Sequence, residues 1–202
     1  FCWTRGKFFK LKMNLQIEFF KQEHYSEIAE IWVRQLPNDF FSLLGETFIK
    51  KKYLPFLLEH SECNGCVENS QGKVGGFVLW GPSDKLLSDF LKKNFFHFLV
   101  SMISFFIRSP IICTITCVDI IKFLLKCPPI PHGTERLYIA VDSPAQGLGA
   151  KLVERLVDET KHFSQPILVK TLLTTPRTIR FYEKCGFERL CSIQNRQWLI
   201  KK

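Results

Sequence analysis

Two stretches near the C-terminal end carry residue types that could do chemistry. The first runs Leu137-Tyr138-Ile139-Ala140-Val141, a run of strand character, through Asp142-Ser143-Pro144-Ala145-Gln146 into Gly147-Leu148-Gly149-Ala150-Lys151 and an amphipathic sequence beginning Leu152-Val153. A strand that ends in a glycine-bearing turn and opens a helix is suited to an anion. Glycine lets backbone approach phosphate oxygens closely, and the unsatisfied N–H groups and positive dipole end of a helix favour negative charge. The pattern is neither GxxxxGK[ST] nor GxGxxG with an acidic residue about 20 positions later, so a Walker A loop and a dinucleotide turn are both excluded.

The second stretch is Thr174-Thr175-Pro176-Arg177-Thr178-Ile179-Arg180-Phe181-Tyr182-Glu183-Lys184-Cys185-Gly186-Phe187-Glu188. It follows one predicted strand later, with 35 residues from Gln146 to Phe181. Together the two stretches resemble the GNAT superfamily of acetyl-CoA-dependent N-acetyltransferases. In the first, Val141, Gln146 and Gly149 fall on that family's V-x-P/S-x-x-Q/R-x-x-G-x-G/A pattern. In the second, Phe181, Tyr182, Gly186 and Phe187 fall on N-x-x-A-x-x-F-Y-x-x-x-G-F. There are departures: Lys151 stands at a small-residue position, and Thr175 and Thr178 replace Asn and Ala. The resemblance is specific over Glu135 to Glu188 and absent over residues 86–131.

The resemblance implies acetyl-CoA as cosubstrate, no metal, and direct transfer of an acetyl group to a primary amine. It also implies that the backbone of Ile139, Ala140 and Val141 faces the thioester. The pyrophosphate would lie over the amides of Gln146, Gly147, Leu148, Gly149, Ala150 and Lys151, with Thr175 near the pantetheine arm. Tyr182 takes the place of the acid that protonates the departing sulfur; the other reading is a tyrosine that only packs. Two candidates for the base stand just upstream. Glu135 lies where many family members carry a carboxylate, and His132 has the pKa suited to a base near neutrality. Glu135 is equally readable as a solvated strand end, His132 as a loop residue among prolines.

Several elements must position these groups. Leu15 to Phe20 alternates as a strand, Ile28, Ile31, Trp32 and Gln35 recur at helical spacing, and Phe40 to Leu58 reads as a further helix that Pro55 should kink or end. Cys66 to Asn69 and Lys73 to Trp80 form a hairpin around Ser70-Gln71-Gly72. Later come strand Leu137 to Val141, helix Gln146 to His162, strand Ile167 to Leu173, helix Thr178 to Cys185, and two strands within Phe187 to Ile200 that turn at Gln194-Asn195. The expected fold is α/β (α+β): a GNAT-like, mixed, mostly antiparallel twisted sheet flanked by helices, with an apolar helical insertion between strands 3 and 4.

Composition fits a folded protein, with 46% hydrophobic and 23% charged residues among 202. We expect one domain over residues 13–202, with 1–12 an upstream or tag remnant. The net charge of +9 suits a phosphate-rich cosubstrate or an anionic surface, and no basic stripe with interleaved aromatics marks a nucleic-acid partner. Eight cysteines without zinc-finger spacing are read as free thiols of a cytoplasmic protein. Within the insertion, about 86–131, Phe95 to Ile107 and Ile111 to Leu125 read as two apolar helices broken at Arg108 to Pro110. Each half is too short to span a bilayer, so a lid, a homodimer contact or a membrane-surface element is expected, not a span. His97 is given no role. The loose likeness of residues 35–58 to members of amino-sugar pathways favours a small amine acceptor. The alternative is a degenerate GNAT-fold protein that binds CoA or a partner, peripheral to a membrane.

Overall fold

The computed structural model describes the chain apart from residues 1–15, 61–62, 71, 83–85, 116, 119–133, 143–146, 164 and 194–195. Its centre is a seven-stranded sheet in the order β1-β2-β3-β4-β5-β7-β6. The strands are β1 Ile17–Phe19, β2 Asn64–Ser70, β3 Lys73–Pro82, β4 Thr134–Val141, β5 Ile167–Leu172, β6 Glu188–Ile193 and β7 Arg196–Lys201. Every pairing is antiparallel except β4 with β5.

Side-chain alternation along β3 shows how the sheet separates two cores. Phe77 and Leu79 join Trp32, Phe41 and Tyr53 on one face; Val78 and Trp80 join Leu152, Leu156 and Tyr182 on the other. The first core is built by helix α1, Tyr25–Gln35, helix α2, Phe40–Leu44, and helix α3, Leu54–Glu59. Trp32 is its hub, fully buried, with its ring 4.0 Å from that of Tyr138 and 5.6 Å from that of Phe77. Its indole N–H donates to Asp39 Oδ2 at 3.2 Å. Asp39 also accepts from the Phe41 amide and so caps α2. Burial pushes the Asp39 carboxyl up; those two donors oppose the shift. The second core is built by helix α5, Leu148–Thr160, and helix α6, Pro176–Lys184.

The single helix expected over Phe40 to Leu58 is broken. Gly45 takes φ 100, a conformation glycine supplies readily, and a π-helical stretch over Ile49–Tyr53 leads into α3. Pro55 sits in the first turn of α3, where its missing N–H would have had no partner, so it starts a helix instead of ending one.

The insertion also differs from expectation. Helix α4, Leu86–Arg108, is 23 residues long with a single non-helical residue at Asn94, and helical turns resume over 110–115 and 117–118. Over Ser88–Arg108 it is long and apolar enough to cross a membrane by length and composition, which overturns the argument that the segment is too short. The first apolar half, Phe95 to Ile107, is the C-terminal part of a longer helix that also includes Leu86 to Lys93.

Candidate active site

The decisive local geometry lies where β4 leaves β5. Their parallel pairing covers only Thr134 with Ile167, Glu135 with Leu168 and Arg136 with Val169. Beyond Arg136 strand β4 keeps β3 as partner as far as Val141, while β5 keeps β7 over its whole length. An irregularity in the β3–β4 register between Leu79 and Trp80 falls at the same level, placing Leu137 as an extra residue on β4. A bulge re-aims a strand, and here it coincides with the point of divergence. The result is a wedge-shaped opening between two adjacent parallel strands.

Backbone groups line that wedge. The Asp142 amide donates to Gly75 O at 2.8 Å, so it faces β3. Strand N–H groups alternate sides, which turns the N–H and C=O of Ile139 and Val141 towards the opening, while Ala140 faces β3. Of the three residues expected to face a thioester, two present backbone there.

Behind the opening stands the N-terminus of α5. Gly147 precedes the helix with φ 90, ψ −4 and makes no side-chain cap. A Cβ on Gly147 would meet nothing within 4 Å, so its requirement is conformational and the space above it is open. The Lys151 amide donates to Gly147 O at 3.1 Å, closing the first turn. The amides of Leu148, Gly149 and Ala150 are the orphan donors of the helix start, and Lys151 can contribute only its exposed ammonium, a correction to the expected amide set. Gly149 packs inward: a Cβ there would lie 3.5 Å from Phe181 Cζ and 3.9 Å from Val141 Cγ2. It therefore joins the strand end, the helix start and α6 at one point.

Tyr182 comes from α6. The helix ends in a Schellman motif, with Phe187 N–H bonded to Tyr182 O at 3.0 Å, Gly186 N–H to Glu183 O at 3.0 Å, and Gly186 in the left-handed region at φ 83. This gives the Gly186-Phe187 pair a physical reason. Glycine takes the left-handed residue and the Phe187 ring returns onto Tyr182, 5.6 Å between centroids, with Phe181 at 5.0 Å on another side. Lys201 Nζ donates to Cys185 O at 2.8 Å and satisfies a further carbonyl of the last turn. Tyr182 is fully buried, on the same inward face as Ile179.

Thr175 precedes α6, and its hydroxyl donates to Leu172 O at 2.8 Å, tying the helix start to the end of β5. The backbone of Glu135 lies on β4 opposite Leu168 and Gly81, in the stretch where β4 and β5 are still paired. His132 and Gln146 lie outside the described residues.

Two features were missed in the sequence. Asp142 pairs with Arg34, while Gln35 Nε2 donates to its carbonyl at 3.2 Å, so α1 anchors the end of β4. Gly76 lies opposite Val141, and a Cβ there would come within 3.0 Å of Ala140 O. The Gly75-Gly76 doublet inside an otherwise apolar strand was the available signal for such close backbone approach.

A mixed sheet that parts between two parallel strands, with a helix N-terminus behind the gap, is the arrangement of the GNAT fold. Residues 112–189 match the model of a family described as the acetyltransferase (GNAT) domain. Among solved structures, the PaiA N-acetyltransferase from Thermoplasma acidophilum in complex with coenzyme A is similar at 12% identity and a TM-score of 0.59, covering 94% of this chain and 99% of that one. Arabidopsis thaliana NAA60 in complex with acetyl-CoA is similar at 10% identity and a TM-score of 0.56, covering 93% and 97%. No curated protein matches the sequence. The chain has the GNAT fold, and its residues 112–189 resemble the GNAT domain in sequence.

Proposed function

We propose that the protein is an acetyl-CoA-dependent N-acetyltransferase acting on a primary amine of a small molecule by direct transfer. The observation that carries this reading is the divergence of β4 from β5 after Arg136 in front of the α5 N-terminus. The residues suit the cosubstrate: the orphan amides of Leu148, Gly149 and Ala150 fit a pyrophosphate, and the open space over Gly147 leaves the approach clear. That two similar structures are described as complexes with coenzyme A and acetyl-CoA supports the same assignment.

Each step then has a group of this chain. The N–H of Ile139 or Val141 donates to the thioester carbonyl and to the oxyanion it becomes. The Tyr182 hydroxyl gives its proton to the departing sulfur and is reprotonated, through solvent, by the base that took the proton from the amine nitrogen. Glu135 and His132 are the candidates that take the amine proton, with Glu135 carried by the strand that forms one wall of the opening. Acceptors of amino-sugar type are the first to try, since residues 35–58 loosely resemble members of amino-sugar pathways.

Release of free thiol from acetyl-CoA, followed against a panel of amino sugars and other small amines, tests the reading. Direct transfer predicts intersecting initial-rate lines and no acetylated enzyme. Stoichiometric CoA binding with no turnover on any amine would favour a CoA-binding protein without acetyltransferase activity.

A further inference from the structure

Past Asn94, helix α4 has three distinct sides. At about 100° per residue, Phe98, Met102 and Phe105 share one side. Phe105 is buried, and the Phe98 ring lies 5.9 Å from that of Phe40 and 6.5 Å from that of Phe48, so this side is attached to the first core. His97, Ser101, Ser104 and Arg108 form a polar strip on a second side. Phe95, Phe96, Val100, Ile103, Phe106 and Ile107 occupy the third, an arc of roughly 140°, and all are exposed, Phe96 at 77% and Ile107 at 75%. The apolar exposure continues beyond Pro110 with Ile111, Ile112 and Ile115. Single exposed apolar residues are ordinary; a contiguous face of this kind marks an interaction surface.

We propose that this face docks the protein on an anionic lipid bilayer, with α4 lying in the plane of the interface. Charge decides between lipid and a second copy of the chain. From Asn94 to Val118 the only Lys, Arg, Asp or Glu is Arg108, on the polar strip, and Lys92 and Lys93 stand just before the kink. Lys92 and Lys93 pair with Asp89 and Glu59, but these are exposed surface pairs that contribute little and exchange readily for a headgroup. A two-fold contact on the same face would set this cationic border against itself, whereas phosphate and serine headgroups complement it. The chain's net charge of +9 acts in the same direction. A span is ruled against by the other two sides of the helix. Crossing would pull Phe98 and Phe105 off the core and place Arg108 and the serine strip in hydrocarbon. This inference is independent of the acetyl-transfer reading.

The test is flotation of the full chain with phosphatidylcholine vesicles, with and without about 30% phosphatidylserine, at low and high salt. We expect at least tenfold stronger binding to the anionic vesicles, weakened severalfold by 0.5 M salt (roughly a 4 Å Debye length), and release by carbonate. Replacing Val100, Ile103 and Ile107 together by Glu should abolish flotation while circular dichroism and the melting temperature stay as in the parent. If the triple variant melts early, the single Ile107→Glu should still lower binding at least fivefold. Arg108→Gln should reduce the preference for phosphatidylserine. Absence of flotation with either vesicle overturns the proposal, as does retention after carbonate. It is also overturned if the parent is a dimer that the Glu variants dissociate and neither form floats.

Discussion

Tyr182 is both a packing residue and a candidate acid, and the Schellman turn at Gly186-Phe187 is what holds its ring. Tyr182→Phe keeps the ring and removes the proton. If the hydroxyl acts only in the transition state, turnover should fall by about 100-fold to 10,000-fold with CoA affinity, read by calorimetry, unchanged. Wild-type turnover would leave Tyr182 a packing residue alone. Gly186→Ala should destabilise by about 1–2 kcal/mol in urea melts, because alanine resists the left-handed conformation at φ 83. The two glycines of the α5 turn should separate in kind. Gly147→Ala strains a left-handed residue and should destabilise by a similar ~1–2 kcal/mol. Gly149→Val crowds Phe181 and Val141, and should weaken CoA binding at least tenfold in a protein that still folds. Unaltered CoA affinity in folded Gly149→Val would remove the pyrophosphate from this helix start.

The strands that make the opening were more legible than the opening itself. Val141, Gly149, Phe181 and Gly186 announce a strand, a turn and a helix end because each answers a local requirement, a glycine conformation or an apolar period. The parting of β4 from β5 depends on a register between residues about 30 apart in sequence, and nothing local at Arg136 or Val169 encodes it. The same holds for Arg34 with Asp142, whose partners lie on different elements. In the insertion, Leu86 to Lys93 was hidden by its charges, which disguise the first turns of a helix whose apolar half is obvious. The opening makes its own prediction in hydrogen exchange. The amides of Ile139 and Val141, facing away from β3, should exchange much faster than that of Ala140 in the free protein and gain protection when acetyl-CoA is added. Slow exchange at both without acetyl-CoA would mean the strands are joined.

Across the molecule, burial keeps acids neutral on both sides of the sheet. The Cys66 thiol is pushed up from 9.0 to about 11 by burial, against the pull of Arg155, and the Tyr25 hydroxyl from 10.0 to about 12, again by burial and then by the charge of Glu59. Above about pH 9 the unfolded chain releases these protons while the folded one retains them, so the unfolded state binds fewer and stability must fall as pH rises. Melting temperatures should decline between pH 9 and 11, and Cys66→Ala should flatten the decline in its lower half; an identical slope in that variant would place the effect elsewhere. Strand order carries a different consequence. β7 is made after β6 yet lies between β6 and β5, and among the described residues it is the strand that pairs with β5 at the level where β4 has moved away. During synthesis on the ribosome, then, the Lys170–Leu172 end of β5, the far wall of the opening, lacks its β7 partner until Arg196–Lys201 has left the exit tunnel. For that interval β5 and β6 must stay apart with a strand's width between them, so this wall of the pocket is completed only when β7 enters that place.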